Sequence, residues 1–429
     1  MKKTVKLGLI GYGTVGGGVI KIIAGNKRAI EQRVGAPVEV AAVCDLNPVA
    51  VTGVDYTRDY REVIARDDID IIIELIGGYE PARTVILSAL RAGKNVVTAN
   101  KAVLATYWDE IFSAARAKER LVYFEASVGG AIPVIQGLNE GMAANRIAKI
   151  SGILNGTTNY ILTEMTQKNV SFAAALKAAQ RSGFAEADPS FDIDGVDTAN
   201  KLAILSSLAW SSWVKVSDVS TAGIASVAAQ DVFFARKLGY VIKLIGSATM
   251  ESGGLELSVQ PCLIPERHPF ATVEREYNAV SIRGDASGEI MFYGKGAGSL
   301  PAASAVVSDI ISLARQVTSG TAGKEPYITY NSSKKLKILP SAKAQGSYYL
   351  RFTALDQSGV LSKVSGILGK HNVSIASVYQ QESLSGARKG VPIIILTHRV
   401  RQGNLRAALQ LIDRHPFIKA PTVAFKVKA

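Results

Sequence analysis

Lys6-Leu7-Gly8-Leu9-Ile10-Gly11-Tyr12-Gly13-Thr14-Val15-Gly16 decides how the first part of the chain folds. Residues 6–10 read as a short apolar strand, and Val19, Ile20, Ile22 and Ile23 give the next segment an apolar helical face. Between them stands a G-x-G-x-x-G spacing, which is weak alone and informative between a strand and a helix. Gly11 permits the tight turn, Gly13 lets the main chain approach a pyrophosphate, and Gly16 lets helix and strand pack closely. Thr14, Val15 and Gly16 then open the helix, whose first amides offer donors and partial positive charge to phosphates.

Outward from this stretch, strands and helices alternate as in a doubly wound parallel sheet of Rossmann type. A second strand over residues 38–43 runs into Cys44-Asp45, where a carboxylate accepts ribose hydroxyls. No arginine stands at 43–45, which leans towards NAD, while Asn47 or Arg58 could still accommodate a 2′-phosphate. The cofactor is therefore read as NAD or NADP. A third strand over 69–76 ends in Gly77-Gly78, a helix over 81–92 stops at Gly93, and a fourth strand over 95–98 leads to Asn100-Lys101. Ligands of such sheets lie at the carboxyl ends of the strands. Asn100 and Lys101 are thus placed to face a nicotinamide, although a lysine at a strand end is more often solvated. A helix over 107–118 and a strand over 121–125 follow. After Glu125 the segment Ala126-Ser127-Val128-Gly129-Gly130-Ala131-Ile132-Pro133 exposes carbonyls. With Glu125 these could hold a hard cation through oxygen alone, or form a plain loop.

Composition narrows the class. The chain has 429 residues, 48% hydrophobic and 20% charged, enough for two or three globular domains. It has no run of eighteen apolar residues, so no membrane helix is expected. Residues 1–6 resemble a signal n-region but lack the apolar continuation, so a cytoplasmic location is expected. The two cysteines, Cys44 and Cys262, form neither a disulfide framework nor a zinc spacing. The net charge of +13 is spread along the chain rather than gathered with aromatics, which speaks against nucleic acid as a partner.

In the middle of the chain a strand over 148–154 meets Asn155-Gly156-Thr157-Thr158-Asn159, with a helix from Tyr160. Those short polar side chains either bind a carboxylate at a helix start or only cap it. An Ala-rich helix over 171–180 is stopped by Gly183. From Gly183 to Lys201 the chain concentrates Glu186, Asp188, Asp192, Asp194, Asp197 and Lys201. Asp197 and Lys201 stand at i and i+4 where the pattern turns helical and then apolar. This is either a solvated ion pair or a lysine whose burial makes its pKa tunable. Strands over 255–263, 279–283 and 289–293 complete an α+β domain, and Lys295-Gly296-Ala297-Gly298 opens a helix over 302–318 that is expected to pack on the nucleotide domain.

Residues 321–346 lose apolar periodicity and read as a linker. A strand over 348–355, the turn Asp356-Gln357-Ser358-Gly359-Val360-Leu361, a helix to about 371, strands over 373–381 and 391–398 and a helix over 405–413 fit a β-α-β-β-α-β ferredoxin-like unit. Its D-x-S-G-V-L turn resembles that of the ACT domain, an amino-acid-binding module.

Taken in order, Gly11–Gly16, Thr98-Ala99-Asn100-Lys101, the Glu125–Pro133 segment, Ile153-Leu154-Asn155-Gly156-Thr157-Thr158-Asn159-Tyr160, the acidic stretch and Gly296-Ala297-Gly298 closely resemble homoserine dehydrogenase over nearly the whole chain. The resemblance implies NAD(P)-dependent reduction of L-aspartate 4-semialdehyde to L-homoserine, at the branch to threonine, isoleucine and methionine. It implies Lys201 as proton donor and Lys101 near substrate and nicotinamide. Glu186 and Asp197 would hold the substrate amino group, with Asp192, Gly183, Asn155 and Thr157 completing the substrate site. Gly298 joins Gly11, Gly13, Thr14, Val15, Gly16, Asp45 and Lys101 at the cofactor. Glu125 and the carbonyls of Val128, Gly130 and Ile132 would hold a structural sodium ion. Threonine would be the effector at Asp356, Gly359, Val360 and Leu361, and the chain would form a homodimer or homotetramer. The expected domains are 1–131, 132–301 and 347–429. A non-catalytic nucleotide and amino-acid sensor on the same frame is the alternative, and it has no need for Glu186, Asp197 and Lys201 together.

Overall fold

A computed structural model describes residues 4–380 and 390–428. The expected strand end at Gln381 lies outside the described residues. The chain forms two compact units, Met1–Ile150 with Asn200–Asp218 and Tyr277–Leu336, and Ser151–Ala199 with Val219–Glu276 and Lys337–Ala429. They do not coincide with the sequence blocks expected above, because distant segments of the chain return to each unit.

The first unit is built on a six-stranded sheet in the order Asp55–Thr57, Val38–Cys44, Val5–Ile10, Ile71–Glu74, Asn95–Thr98, Val122–Tyr123. Every neighbouring pair is parallel. In chain order this is 3-2-1-4-5-6, with the switch point beside the first strand. Its strands are runs of Val and Ile because both faces are covered. Val5, Leu7, Leu9, Ile71, Ile73 and Val97 share a core with Val19 of helix Thr14–Gly25 and with Val306, Ile310 and Leu313 of helix Ser299–Ser319. That last helix approaches closely, since a Cβ on Gly18 would stand 2.9 Å from the Ala303 Cβ. Ile10 is level with both Cys44 and Glu74, so three strand ends open on one side.

The second unit carries a sheet in the order Tyr240–Glu251, Gly254–Pro265, Ile418–Val427, Gln345–Ala354, Val391–Thr397, Ile375–Gln380. Its last four strands, with helices Val360–Lys370 and Gln402–Ile412, form the expected ferredoxin-like module around Leu350, Phe352, Val364, Leu368, Ile393, Ile395 and Leu405. The strand Ile418–Val427 is given no residues in the sequence reading, and the strand Tyr240–Glu251 is a further addition to it. The latter pairs antiparallel with Gly254–Pro265 along its full length. Residues 321–346 hold more structure than a linker. Tyr327 stacks on Tyr123 with ring centroids 3.7 Å apart in the first unit. In the second, the Leu255 amide donates to the Lys337 carbonyl at 2.8 Å.

Candidate active site

At the nucleotide loop each glycine has a distinct reason. Gly11 has φ +99°, and a Cβ there would lie 2.7 Å from the Leu75 carbonyl carbon. A Cβ on Gly16 would lie 2.2 Å from the Gly11 carbonyl oxygen, whereas one on Gly13 would meet nothing within 4 Å. The loop is therefore tight where helix meets strand and open where a pyrophosphate would approach. Helix Thr14–Gly25 starts after Gly13 with no side-chain cap, so its first amides are not spent on a capping side chain. Asp45 accepts from the Tyr12 amide at 2.7 Å and from the Asn47 amide at 2.9 Å, which ties the loop to the end of the second strand. Gly298, with φ +125°, precedes helix Ser299–Ser319, and the Ser299 hydroxyl donates to the Thr14 carbonyl at 2.6 Å. These features fit a dinucleotide.

Lys101 is not at a bare strand end. It is the half-buried first residue of helix Lys101–Ala117, capped by Asn100, whose Oδ1 accepts from the Val103 amide at 3.1 Å. The helix expected from residue 107 begins six residues earlier, and Tyr107 (φ −118°, ψ 27°) marks a kink inside it.

Glu125 opens a short 3-10 turn, Glu125–Ser127, rather than ending a strand. Its carboxylate is buried and accepts from the amides of Ile135 and Gln136, each at 2.8 Å. Burial pushes this carboxyl up to about 7, against the pull of those amides. Its own amide donates to Asp309, a carboxyl raised by burial and then by Glu125 itself. Gly130 (φ +58°) lies so close to Gly296 that a Cβ would stand 2.7 Å from its carbonyl. The Ile132 carbonyl accepts from the Val134 amide at 2.8 Å. Among the described residues no group of three or more acidic, His or Cys side chains could hold a metal. A cation here would rest on Glu125 and main-chain oxygens, a donor set that suits a hard ion.

In the second unit Asn155 is the hub. It precedes helix Gly156–Lys168, and its Oδ1 caps the Thr158 amide at 2.8 Å. Its Nδ2 donates to Asp192 at 2.6 Å and to Asp197 at 2.8 Å, so one amide gathers two carboxylates of the acidic stretch. Asn155 and Asp197 are buried, while Asp192 is half-buried and Glu186 is exposed. Thr157 donates to the Phe184 carbonyl at 2.7 Å, and Phe184 stacks on Tyr160 at 4.6 Å. Gly183, at φ +73°, ends the preceding helix Phe172–Arg181. Helix Val196–Ala209, whose residues from Asn200 on belong to the first unit, carries Asp197 in its first turn and Lys201 one turn later, and Lys201 is only 8% exposed. The buried form of the lysine is thus the one realised.

Of the C-terminal residues, Gly359 takes φ +84° and precedes helix Val360–Lys370 without a side-chain cap. Val360 is buried and Leu361 is 37% exposed.

The sequence reading missed the buried Glu74, Asp231 and Lys243. A carboxylate after three isoleucines in Ile71–Glu74 was the available signal for the first of them.

Three family descriptions match the chain: the homoserine dehydrogenase NAD-binding domain at residues 11–125, homoserine dehydrogenase at 133–311 and the ACT domain at 348–417. A homoserine dehydrogenase of Neisseria gonorrhoeae is 40% identical over 433 residues, covering 100% of this chain and 99% of that one. The crystal structure of one from Thiobacillus denitrificans superposes with a TM-score of 0.94 at 40% identity, over 99% of this chain and 98% of that one. A hyperthermophilic archaeal homoserine dehydrogenase in complex with NADPH matches 72% of this chain and 97% of its own at 26% identity, TM-score 0.61. With the nucleotide loop, the acidic cradle and the C-terminal module all in hand, the chain belongs to the homoserine dehydrogenase family, NAD(P)-dependent oxidoreductases that interconvert L-aspartate 4-semialdehyde and L-homoserine.

Proposed function

We propose that the reaction is carried by Lys201 as the proton donor to the developing alkoxide, with Lys101 near the substrate and the nicotinamide. The observation that carries this reading is the junction at Asn155, which holds Asp192 and Asp197 together one helical turn before a buried lysine. Two carboxylates fixed by one side chain, with Glu186 nearby in sequence, form a receptor for an α-ammonium group. A lysine supplies both positive charge and a proton where an aldehyde oxygen becomes an alkoxide. Asn155, Thr157 and Gly183 shape the walls of this cradle.

The bound nicotinamide nucleotide supplies or accepts the hydride. Gly11, Gly13 and the amides of Thr14, Val15 and Gly16 receive its pyrophosphate, with Gly298 closing the loop from the side. Asp45 receives the ribose hydroxyls, which favours NAD. Arg58, whose Nε donates to the Tyr56 hydroxyl at 3.4 Å, offers a cation to the 2′-phosphate of NADP. A sodium ion held by Glu125 and the carbonyls of Val128, Gly130 and Ile132 offsets the charge of a buried carboxylate. Threonine, bound at the turn Asp356 to Leu361, acts as feedback effector, and the active form is a homodimer or homotetramer.

Steady-state oxidation of L-homoserine by the purified protein, with NAD and NADP separately, tests the assignment beside Lys201→Ala. The variant is expected to lose about 100-fold or more of kcat with little change in KM. A variant that keeps wild-type kcat refutes the role of Lys201, and equal kcat/KM for both cofactors refutes the weight given to Asp45.

A further inference from the structure

Glu74 ends the strand Ile71–Glu74 and is fully buried. A carboxylate in such a place is costly unless donors surround it. Two do. The Thr98 hydroxyl donates at 2.6 Å and the Ile76 amide at 2.8 Å. Burial drives this carboxyl above its ordinary value, and hydrogen bonding, that of the Thr98 hydroxyl first, acts the other way.

Each donor belongs to a segment on the open side of the sheet. Ile76 and Gly77 begin a loop in which Gly77 and Gly78 take φ +84° and +69°, and in which Ile76 and Tyr79 are 38% and 48% exposed. Thr98 also accepts from the Asn100 amide at 3.0 Å. Asn100 donates to the Gly78 carbonyl at 2.8 Å and caps the helix that starts with Lys101. On the other flank the Leu75 amide donates to the Ile10 carbonyl at 2.8 Å, next to the nucleotide loop.

We propose that Glu74 is a positioning residue for hydride transfer. Through the amide of Ile76 it fixes the loop against which the nicotinamide end of the cofactor lies. Through Thr98 and Asn100 it fixes the start of the helix that presents Lys101. This rests on the reading of Lys101 and the strand ends as nicotinamide-facing.

The test compares full-length Glu74→Gln, Thr98→Val, Thr98→Ser and Lys101→Ala with wild type. Homoserine oxidation, dissociation constants for NADH and NADPH by fluorescence, and melting temperature are measured on each. Glu74→Gln keeps the shape but turns an amide group towards donors. It is expected to weaken cofactor binding by about 10-fold and to lower kcat by about 100-fold, the scale of a misplacement near 1 Å. Thr98→Val is expected to lower kcat with cofactor binding kept, and Thr98→Ser to restore it. If Glu74→Gln lowers only the melting temperature, with kcat and cofactor binding per folded molecule unchanged, the role is structural and the proposal is overturned. Should Glu74→Gln fail to fold, an unchanged kcat in Thr98→Val overturns it equally. An active Lys101→Ala refutes the parent reading and with it the Thr98 arm. An inactive Lys101→Ala beside an unaltered Glu74→Gln overturns only the present inference.

Discussion

Replacing Arg351 by Met should destabilise the second unit far more than an exposed arginine would. Arg351 lies on Gln345–Ala354 of the C-terminal module and Asp231 on helix Ala229–Lys237 of the middle segment. The guanidinium meets the carboxylate at 2.6 and 3.0 Å, in the two-pronged geometry that arginine favours. The Asp231 side chain is 0% exposed and that of Arg351 11%. Methionine matches the stem of arginine but leaves the carboxylate buried without its cation. Breaking a buried pair by removing one partner costs about 3–5 kcal/mol. Asp231 would keep the Tyr349 hydroxyl at 3.0 Å and the Ala228 amide at 2.9 Å, which places the cost near the lower end, about 3 kcal/mol. Urea titration followed by far-UV circular dichroism reads the change in stability. Hydrogen exchange over residues 229–237 and 345–354 localises it. The double variant Asp231→Asn/Arg351→Met removes both charges and should recover to within about 1 kcal/mol of wild type. A single variant costing under about 1 kcal/mol, or a double variant no better than the single, would refute the reasoning.

The remaining predictions concern the nucleotide domain. Glu125 has an ordinary value near 4.5 and is pushed up to about 7 in the fold, so between those values the folded state holds a proton that the unfolded state has released. Stability should therefore fall as pH rises from about 4.5 to 7, by about 3 kcal/mol. Glu125→Gln should reduce that slope, with Asp309 keeping its own share, and sodium chloride titrated against a choline chloride control should stabilise wild type above pH 7 but not near pH 4.5. A slope unchanged in the variant would remove Glu125 as its source. Gly16→Ala should raise the KM for cofactor by about 10-fold or more, because its Cβ would stand 2.2 Å from the Gly11 oxygen and push the loop from the phosphates. Unchanged cofactor KM in a folded Gly16→Ala enzyme would contradict the packing argument.

Much of the candidate site was legible because its signals are local. The three glycines of the nucleotide loop, the apolar strand before them and the helical periodicity after them occupy fewer than twenty consecutive residues. The sequence puts Lys101 at a strand end, whereas in the structure it is the first residue of a helix that Asn100 caps and that bends at Tyr107. The linker reading of 321–346 failed for a related reason. Tyr327, Ile328 and Tyr330 are spaced without periodicity, and what covers the half-buried Tyr327 is its stack on Tyr123, some two hundred residues earlier.

The sequence by itself determined the parts that rest on backbone permission and repeating pattern: the nucleotide loop, the acidic stretch with its lysine one helical turn after Asp197, and the first five elements of the β-α-β-β-α-β module. Only the tertiary structure decided which polar groups meet. Asn155 reaches Asp192 and Asp197 across 37 and 42 residues, and Arg351 reaches Asp231 across 120. It also decided that the last strand, Ile418–Val427, lies parallel to Gly254–Pro265, pairing Cys262 with Lys426. The physical reason is burial. Whether a carboxylate such as Glu74 is a solvated charge or the anchor of a site depends on what covers it, and the covering comes from segments distant in the chain.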